Sequence, residues 1–178
     1  KDVAIIGAGG GRDILSALLH GAEAVDAVEL NHHTIDIVSN RFAHVSGDPY
    51  HHPAVSAVAD EGRSFLTHTD ARYDLIQISL IDSFAASAAG AFALAENNLY
   101  TVEAFELYVD RLSDEGLLST SRWTSELPRL LVLARAALRG LDVREPSEHL
   151  MLVRAGRVGT LLVSKRPFDD DDIHRMRR

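Results

Sequence analysis

The stretch that most restricts this chain is "VAIIGAGGGRDILSALL", Val3 to Leu19, an apolar run, three alternating glycines and then apolar residues at helical spacing. Val3 to Ile6 read as a short buried strand, and the segment from Arg12 reads as a helix that Gly21 stops. Gly7, Gly9 and Gly11 fall where the strand must turn sharply into that helix. Residues without Cβ suit such a turn twice over, because they accept left-handed backbone and let the main chain come close to a ligand. A tight turn with no ligand is the other reading of the same residues. The dinucleotide pattern G-x-G-x-x-G is not met, since Arg12 stands where its third glycine belongs, so NAD is disfavoured.

The rest of the chain repeats this alternation. "AVDAVEL" is a second strand ending in Glu29, and "NHHTIDIVSNRF" is a helix with Asn31 as N-cap and Ile35, Val38 and Phe42 on one face. A third strand is expected at Val55 to Val58, a short helix at Arg63 to Thr67, and a fourth strand at Asp74 to Ser79. "TVEAFELYVDRLSDEG" is an amphipathic helix closed by Gly116, "LLSTSRW" a fifth strand, and Glu126 to Arg139 a further helix. Two apolar runs joined by "AGR" then form an antiparallel hairpin. The expected fold is α/β, a doubly wound, mostly parallel seven-stranded sheet with a C-terminal antiparallel hairpin. Residues 1–168 are read as one nucleoside-binding domain and 169–178 as a polar, solvated tail.

Charge narrows the partners. With 18 Lys and Arg against 26 Asp and Glu, a formal charge of -8 disfavours nucleic acid and anionic membranes and suits a cationic ligand. There is no cysteine, so disulfide and thiolate chemistry are absent. No apolar run approaches the roughly 20 residues of a membrane span. The chain starts at Lys1 just before a strand, so it is expected to be a fragment of something longer. A β-rich segment or a set of hydrophobic spans is expected upstream. The expected location is the cytoplasm, including as the cytoplasmic domain of a membrane protein.

Three acids follow successive strands. Glu29, at the end of the second, can accept both hydroxyls of a ribose resting on the glycine turn through charge-assisted hydrogen bonds of roughly 1.5 to 3 kcal/mol each. In "ADEGRSFL", Asp60 or Glu61 can accept from an exocyclic adenine amine, with Asp60 preferred. No Walker lysine is present, so an adenosine carrying a positive sulfonium fits better than a nucleotide triphosphate.

With these residues in view, the chain resembles the S-adenosylmethionine-dependent methyltransferase fold, and more narrowly the spermidine synthase family of aminopropyltransferases. The likeness runs from Val3 to Phe168. It rests on the glycine segment, "AVELN", "DEGRSFL", "YDLIQISLIDS" and "LYTVEAFELYVDRLSDEGLL". The resemblance implies that Gly7, Gly9 and Gly11 approach S-adenosylmethionine or its decarboxylated form, that Glu29 holds the ribose, and that Asp60 or Glu61 faces the adenine. It implies a transfer site lined by Ser79 to Asp82, with Tyr100 nearby, a cationic amine as acceptor, and a homodimer as one assembly.

Two departures stand out. Where the family ends its fourth strand in D-x-x-D-P, this chain has Ser79, Leu80, Ile81, Asp82 and Ser83, so the first carboxylate is lost and the second kept. The family's N-terminal β-rich segment is also missing. An alkylamine with a pKa near 10 is on the order of a thousandth neutral at pH 7 and must lose its proton to attack. A general base typically contributes about 10² to 10⁴ in rate, and a serine hydroxyl is a poor one. Three readings therefore stay open: aminopropyl transfer with Asp82 holding the acceptor, methyl transfer to a nucleophile of lower pKa, and a nucleoside-binding domain without catalysis.

Other features carry less. His32-His33 and His51-His52 are not read as metal ligands, since neighbours on a helix point about 100° apart and "GDPYHHP" looks like a polar loop. Tyr100 is either near the transfer pocket or packed on the sheet, and Trp123 is either core or pocket wall. "SFAASAAGAFALAENN" reads as a lid over the site or as a close helix-packing surface.

Overall fold

The computed structural model describes residues 1–81 and 98–176. Asp82 and the Ala-rich segment lie outside the described residues, and with them the lid expectation. The chain alternates β1 (Asp2–Ile6), α1 (Arg12–Leu19), β2 (Ala24–Val28), α2 (His32–Asp36), α3 (Ala43–Ser46), β3 (Val55–Val58), α4 (Gly62–His68) and β4 (Tyr73–Ser79). It continues with α5 (Val102–Arg111), β5 (Leu112–Trp123), α6 (Leu127–Gly140), β6 (Leu150–Ala155), β7 (Val158–Ser164) and α7 (Asp170–Met176). The strands form one seven-stranded sheet in the order β3-β2-β1-β4-β5-β7-β6. All neighbours are parallel except β5 with β7 and β6 with β7, and the hairpin pattern predicts the second of these.

Strand alternation feeds two cores. In β1, Ala4 and Ile6 join the larger cluster, under Leu66 of α4, Phe105 and Tyr108 of α5, and Leu138 of α6. Val3 and Ile5 point the other way, against Ile14 of α1 and Tyr50. A strand covered on both faces reads as a continuous apolar run, which is why β1 carried so clear a signal. The chain runs outward from β1 through β2 to β3 and then crosses to β4 on the other side of β1. That reversal opens a crevice beyond the carboxyl ends of β1 and β4, where doubly wound sheets take their ligands.

Three local expectations need correction. The helix expected to run to Gly116 ends at Arg111, because Leu112 is extended, fully buried and paired with Tyr73. The register of β4 on β5 shifts between Tyr73 and Leu75, and Gly116 sits inside that irregular stretch, where a Cβ would lie 2.6 Å from the Tyr73 carbonyl. Gly116 is needed for close approach of two strands, not for a helix end.

The helix expected through Phe42 starts as predicted, with the Asn31 side chain accepting from the His33 N–H. It then widens into a π turn at Ile37–Arg41. Ile35 and Val38 pack against the core as expected, but the wider turn rotates the side chains that follow it, and Phe42 is 46% exposed. The third correction concerns "GDPYHHP", which is not merely polar: Pro49 and Tyr50 are buried in a short 3₁₀ turn, Pro49–His51, against the glycine segment.

The tail is helical at α7. Asp170 and Asp171 are exposed, whereas Asp172 accepts from Arg166, whose guanidinium, together with the Asp169 amide, holds that carboxyl below its ordinary range.

Candidate functional site

The glycine turn is built against the end of β2. The amides of Gly7 and Ala8 both donate to the Val28 carbonyl, at 2.9 and 3.0 Å. Gly7, Gly9 and Gly11 all have positive φ, of 75, 50 and 85°. Their surroundings differ. A Cβ on Gly11 would sit 2.3 Å from Cγ of Pro49, whereas among the described residues one on Gly9 would meet nothing closer than the Gly7 carbonyl at 3.8 Å. Gly11 is thus required by packing, and Gly9 is left clear by the described residues, so that a ligand can approach its backbone.

Glu29 lies one residue beyond β2 and is tied to this turn. Its Oε2 accepts from the Gly9 N–H at 2.9 Å, and its Oε1 accepts from the Asn31 N–H at 3.0 Å. A carboxylate has about four lone-pair sites, so each oxygen retains capacity for a further donor. The other side of Gly9 is held by Tyr50, whose hydroxyl donates to the Gly9 carbonyl at 2.7 Å. Burial, and then the charge of Glu29, push the Tyr50 phenol well above its ordinary pKa, which keeps it a donor. Sequence reasoning missed Tyr50, and its only signal was a proline and an aromatic inside an otherwise polar run.

After β3, the two acids divide. Glu61 caps α4, its oxygens accepting from the Arg63 and Ser64 amides at 3.0 and 2.9 Å. Asp60 accepts from the Glu61 N–H at 2.7 Å and, at 3.4 Å, from the Ser64 hydroxyl. Both are half-buried.

At the end of β4 the arrangement changes. The Gln77 amide donates to the Ser79 hydroxyl oxygen, a contact the sequence reading did not anticipate. Leu80 follows with φ 44°, a left-handed conformation that costs a branched residue of order 1–3 kcal/mol, and its N–H donates to the Ser121 carbonyl at 3.0 Å. The Ile81 carbonyl accepts from Arg122 at 3.2 Å, and Ile81 lies where a Cβ on Gly7 would be, at 2.8 Å. The β4 exit and the glycine turn are therefore in contact.

Arg122, at the end of β5, was also unforeseen. Its buried guanidinium pairs with Glu126 and lies 4.9 Å from the ring centroid of Tyr100, itself buried in the larger core. Trp123 is 42% exposed and so is not core. The structure brings Gly7, Gly9, Gly11 and Glu29 together and sets Ser79 at the neighbouring strand end, with Tyr100 behind Arg122.

Elsewhere, the rings of His32 and His33 lie 3.9 Å apart, and His51 pairs with Asp48. Among the described residues, no group of three or more His, Cys, Asp or Glu is disposed to hold a metal ion, and no helix is long and apolar enough to cross a membrane.

Comparison with known proteins bears on the family and the fold. Residues 1–132 match the spermine/spermidine synthase domain. The chain belongs to that family. The polyamine aminopropyltransferase of Korarchaeum cryptofilum (strain OPF8) is 26% identical over 120 residues, which is 67% of this chain and 35% of that protein. Spermidine synthase from Thermotoga maritima superposes on 100% of this chain and 60% of its own length with TM-score 0.68 at 18% identity. Human methyltransferase-like protein 13 in complex with SAH does so over 98% of this chain and 78% of its own, with TM-score 0.65 at 13% identity. The structural likenesses establish the methyltransferase fold, with its antiparallel β5-β7-β6 edge. The chain spans about a third of the length of the curated relative, and about three-fifths of the solved spermidine synthase.

Proposed function

We propose that this chain is a spermidine synthase-like transferase domain that binds S-adenosylmethionine or its decarboxylated form in the crevice beyond β1, β2 and β4. The observation that carries the reading is the placement of Glu29, fastened to the Gly9 and Asn31 amides with acceptor capacity left for two ribose hydroxyls. Asp60 is the better candidate for the adenine amine, because Glu61 gives both oxygens to short backbone bonds that cap α4, whereas the second oxygen of Asp60 has only the long 3.4 Å contact from the Ser64 hydroxyl. The sulfonium suits a chain of net charge -8.

In aminopropyl transfer, the acceptor amine attacks the carbon next to the sulfonium. The new C–N bond forms as the C–S bond breaks, the electron pair stays on sulfur to leave neutral methylthioadenosine, and the amine proton passes to a base. Asp82 is the proposed holder of the acceptor and of that proton. Ser79 does not replace the missing carboxylate, since its oxygen accepts from Gln77 and a hydroxyl is a weak base. The same contact favours a second reading, methyl transfer to a nucleophile that is already neutral at pH 7.

Assay with decarboxylated S-adenosylmethionine and putrescine separates these. The Ser79→Asp variant is expected to raise aminopropyl transfer by about 10² or more. If neither wild type nor variant transfers the group while both bind the nucleoside, the aminopropyl reading fails, and methyl transfer and nucleoside binding without catalysis are left.

A further inference from the structure

Arg122 stands where the core would take an apolar side chain. Alternation along β5 from Leu118, a member of the larger core, through Thr120 puts Arg122 on the covered face of the sheet, and it is 8% exposed. Taking a charge out of water costs free energy that an apolar side chain of similar volume does not, and replacing buried ion pairs by such residues is often neutral or stabilising. Packing therefore does not account for a guanidinium here.

What it holds is the corner after β4. Its Nε and Nη2 both donate to Oε2 of Glu126, and its Nη1 donates to the Ile81 carbonyl at 3.2 Å. Glu126 precedes α6, yet its carboxylate makes no cap bond to that helix. A turn closed by the Glu126 N–H on the Trp123 carbonyl, at 2.9 Å, brings it back beside Arg122 instead. A planar fork held in this way points its remaining edge in a fixed direction, and here that direction is Ile81. The corner needs holding, since Leu80 has φ 44°. Its two ends, the Leu80 N–H and the Ile81 carbonyl, are fastened to consecutive residues of β5, Ser121 through its carbonyl and Arg122 through its side chain. The Ile81 side chain fills the space a Cβ on Gly7 would need, and Asp82 follows Ile81 in the sequence.

We infer that Arg122, aimed by Glu126, is a positioning residue for the transfer site: it fixes the direction in which the chain leaves Ile81, and with it the approach of the acceptor that Asp82 is proposed to hold. The inference rests on the reading of the crevice as a nucleoside-dependent transfer site. Nucleoside binding itself is a separate matter, because the bonds of Glu29 to the Gly9 and Asn31 amides involve none of these groups. Arg122 thus bears on the rate of transfer and not on the hold of the donor.

Hydrogen exchange on the ligand-free protein, paired with transfer kinetics, tests this in Arg122→Met, which fills similar space without a donor. The Leu80 amide is expected to exchange about tenfold or more faster, while the amides of Ile76 and Ile78 in mid-β4 stay within about threefold. In whichever transfer the wild type performs, kcat is expected to fall about tenfold or more with the nucleoside KM within about threefold. Arg122→Lys keeps the charge beside Glu126 but cannot span both acceptors from one ammonium, so the same changes are expected. It decides the matter if the methionine variant does not fold. An unchanged Leu80 amide, faster exchange spread through β4 as from a general loss of stability, or a change in KM alone overturns the inference. A wild type that binds no methylthioadenosine overturns the crevice reading instead, and the Leu80 amide then still decides whether Arg122 holds the corner.

Discussion

The two halves of the crevice differ in how their polar groups are occupied. On the β1-β2-β3 side, Glu29 is held by backbone amides, Gly9 is gripped from both its N–H and its carbonyl, and Glu61 is committed to a cap. Rigid main-chain anchors of this kind position an acceptor before a ligand arrives. On the β4-β5 side, the Ser79 hydroxyl takes an amide donor, Leu80 is strained, and Arg122 fastens the Ile81 carbonyl. On the proposed reading, holding a nucleoside and removing a proton from its acceptor are separable tasks, and the anchored acceptors of the β1-β2-β3 side serve the first.

The largest effect is expected from Glu29→Ala, which removes two charge-assisted hydrogen bonds to the proposed ribose. Calorimetry with methylthioadenosine should show a loss of about 3 kcal/mol or more, roughly a hundredfold in affinity. Retention of full affinity would erase the distinction between the halves. Next comes a contrast inside the turn. Gly11→Ala drives a Cβ into Pro49 at positive φ and is expected to cost about 3 kcal/mol in denaturant unfolding. Gly9→Ala meets no such wall, and should cost about 1–2 kcal/mol of stability while obstructing the nucleoside.

Tyr50→Phe keeps the packing and deletes one hydrogen bond, for about 1 kcal/mol. Faster hydrogen exchange at the Gly9 to Gly11 amides would report the loosened turn even in the absence of ligand. The smallest effect lies far from the crevice. The Ser113 hydroxyl, and then the Asp2 amide, hold the Asp74 carboxyl below its ordinary range. A depressed folded pKa gives stability that is present above the unfolded value, about 4, and lost as pH falls through the lower folded value. Wild type and Asp74→Asn should therefore differ by under about 1 kcal/mol at neutral pH and converge in acid.

Much of the frame was legible because it is written in patterns a strand or helix cannot avoid. Buried parallel strands require apolar runs, the turn requires glycine, and Asn31 caps because its side chain suits that role. Glu29 could be placed because it directly follows β2. Tyr50 and Arg122 could not, since each acts across the chain: Tyr50 reaches Gly9 through 41 residues of separation, and Arg122 reaches the Ile81 carbonyl through the same separation. The helix ending at Arg111 was misjudged because Ser113, Asp114 and Glu115 suit a helix surface as well as an irregular strand, and only the pairing of Leu112 with Tyr73 decides.

Nucleoside binding at the glycine turn is the central claim. Titration calorimetry of the folded wild type with S-adenosylmethionine, its decarboxylated form and methylthioadenosine tests it most directly. Saturable binding of at least one of them, lost in Glu29→Ala, is the predicted result. A folded sample that binds none of the three would contradict it.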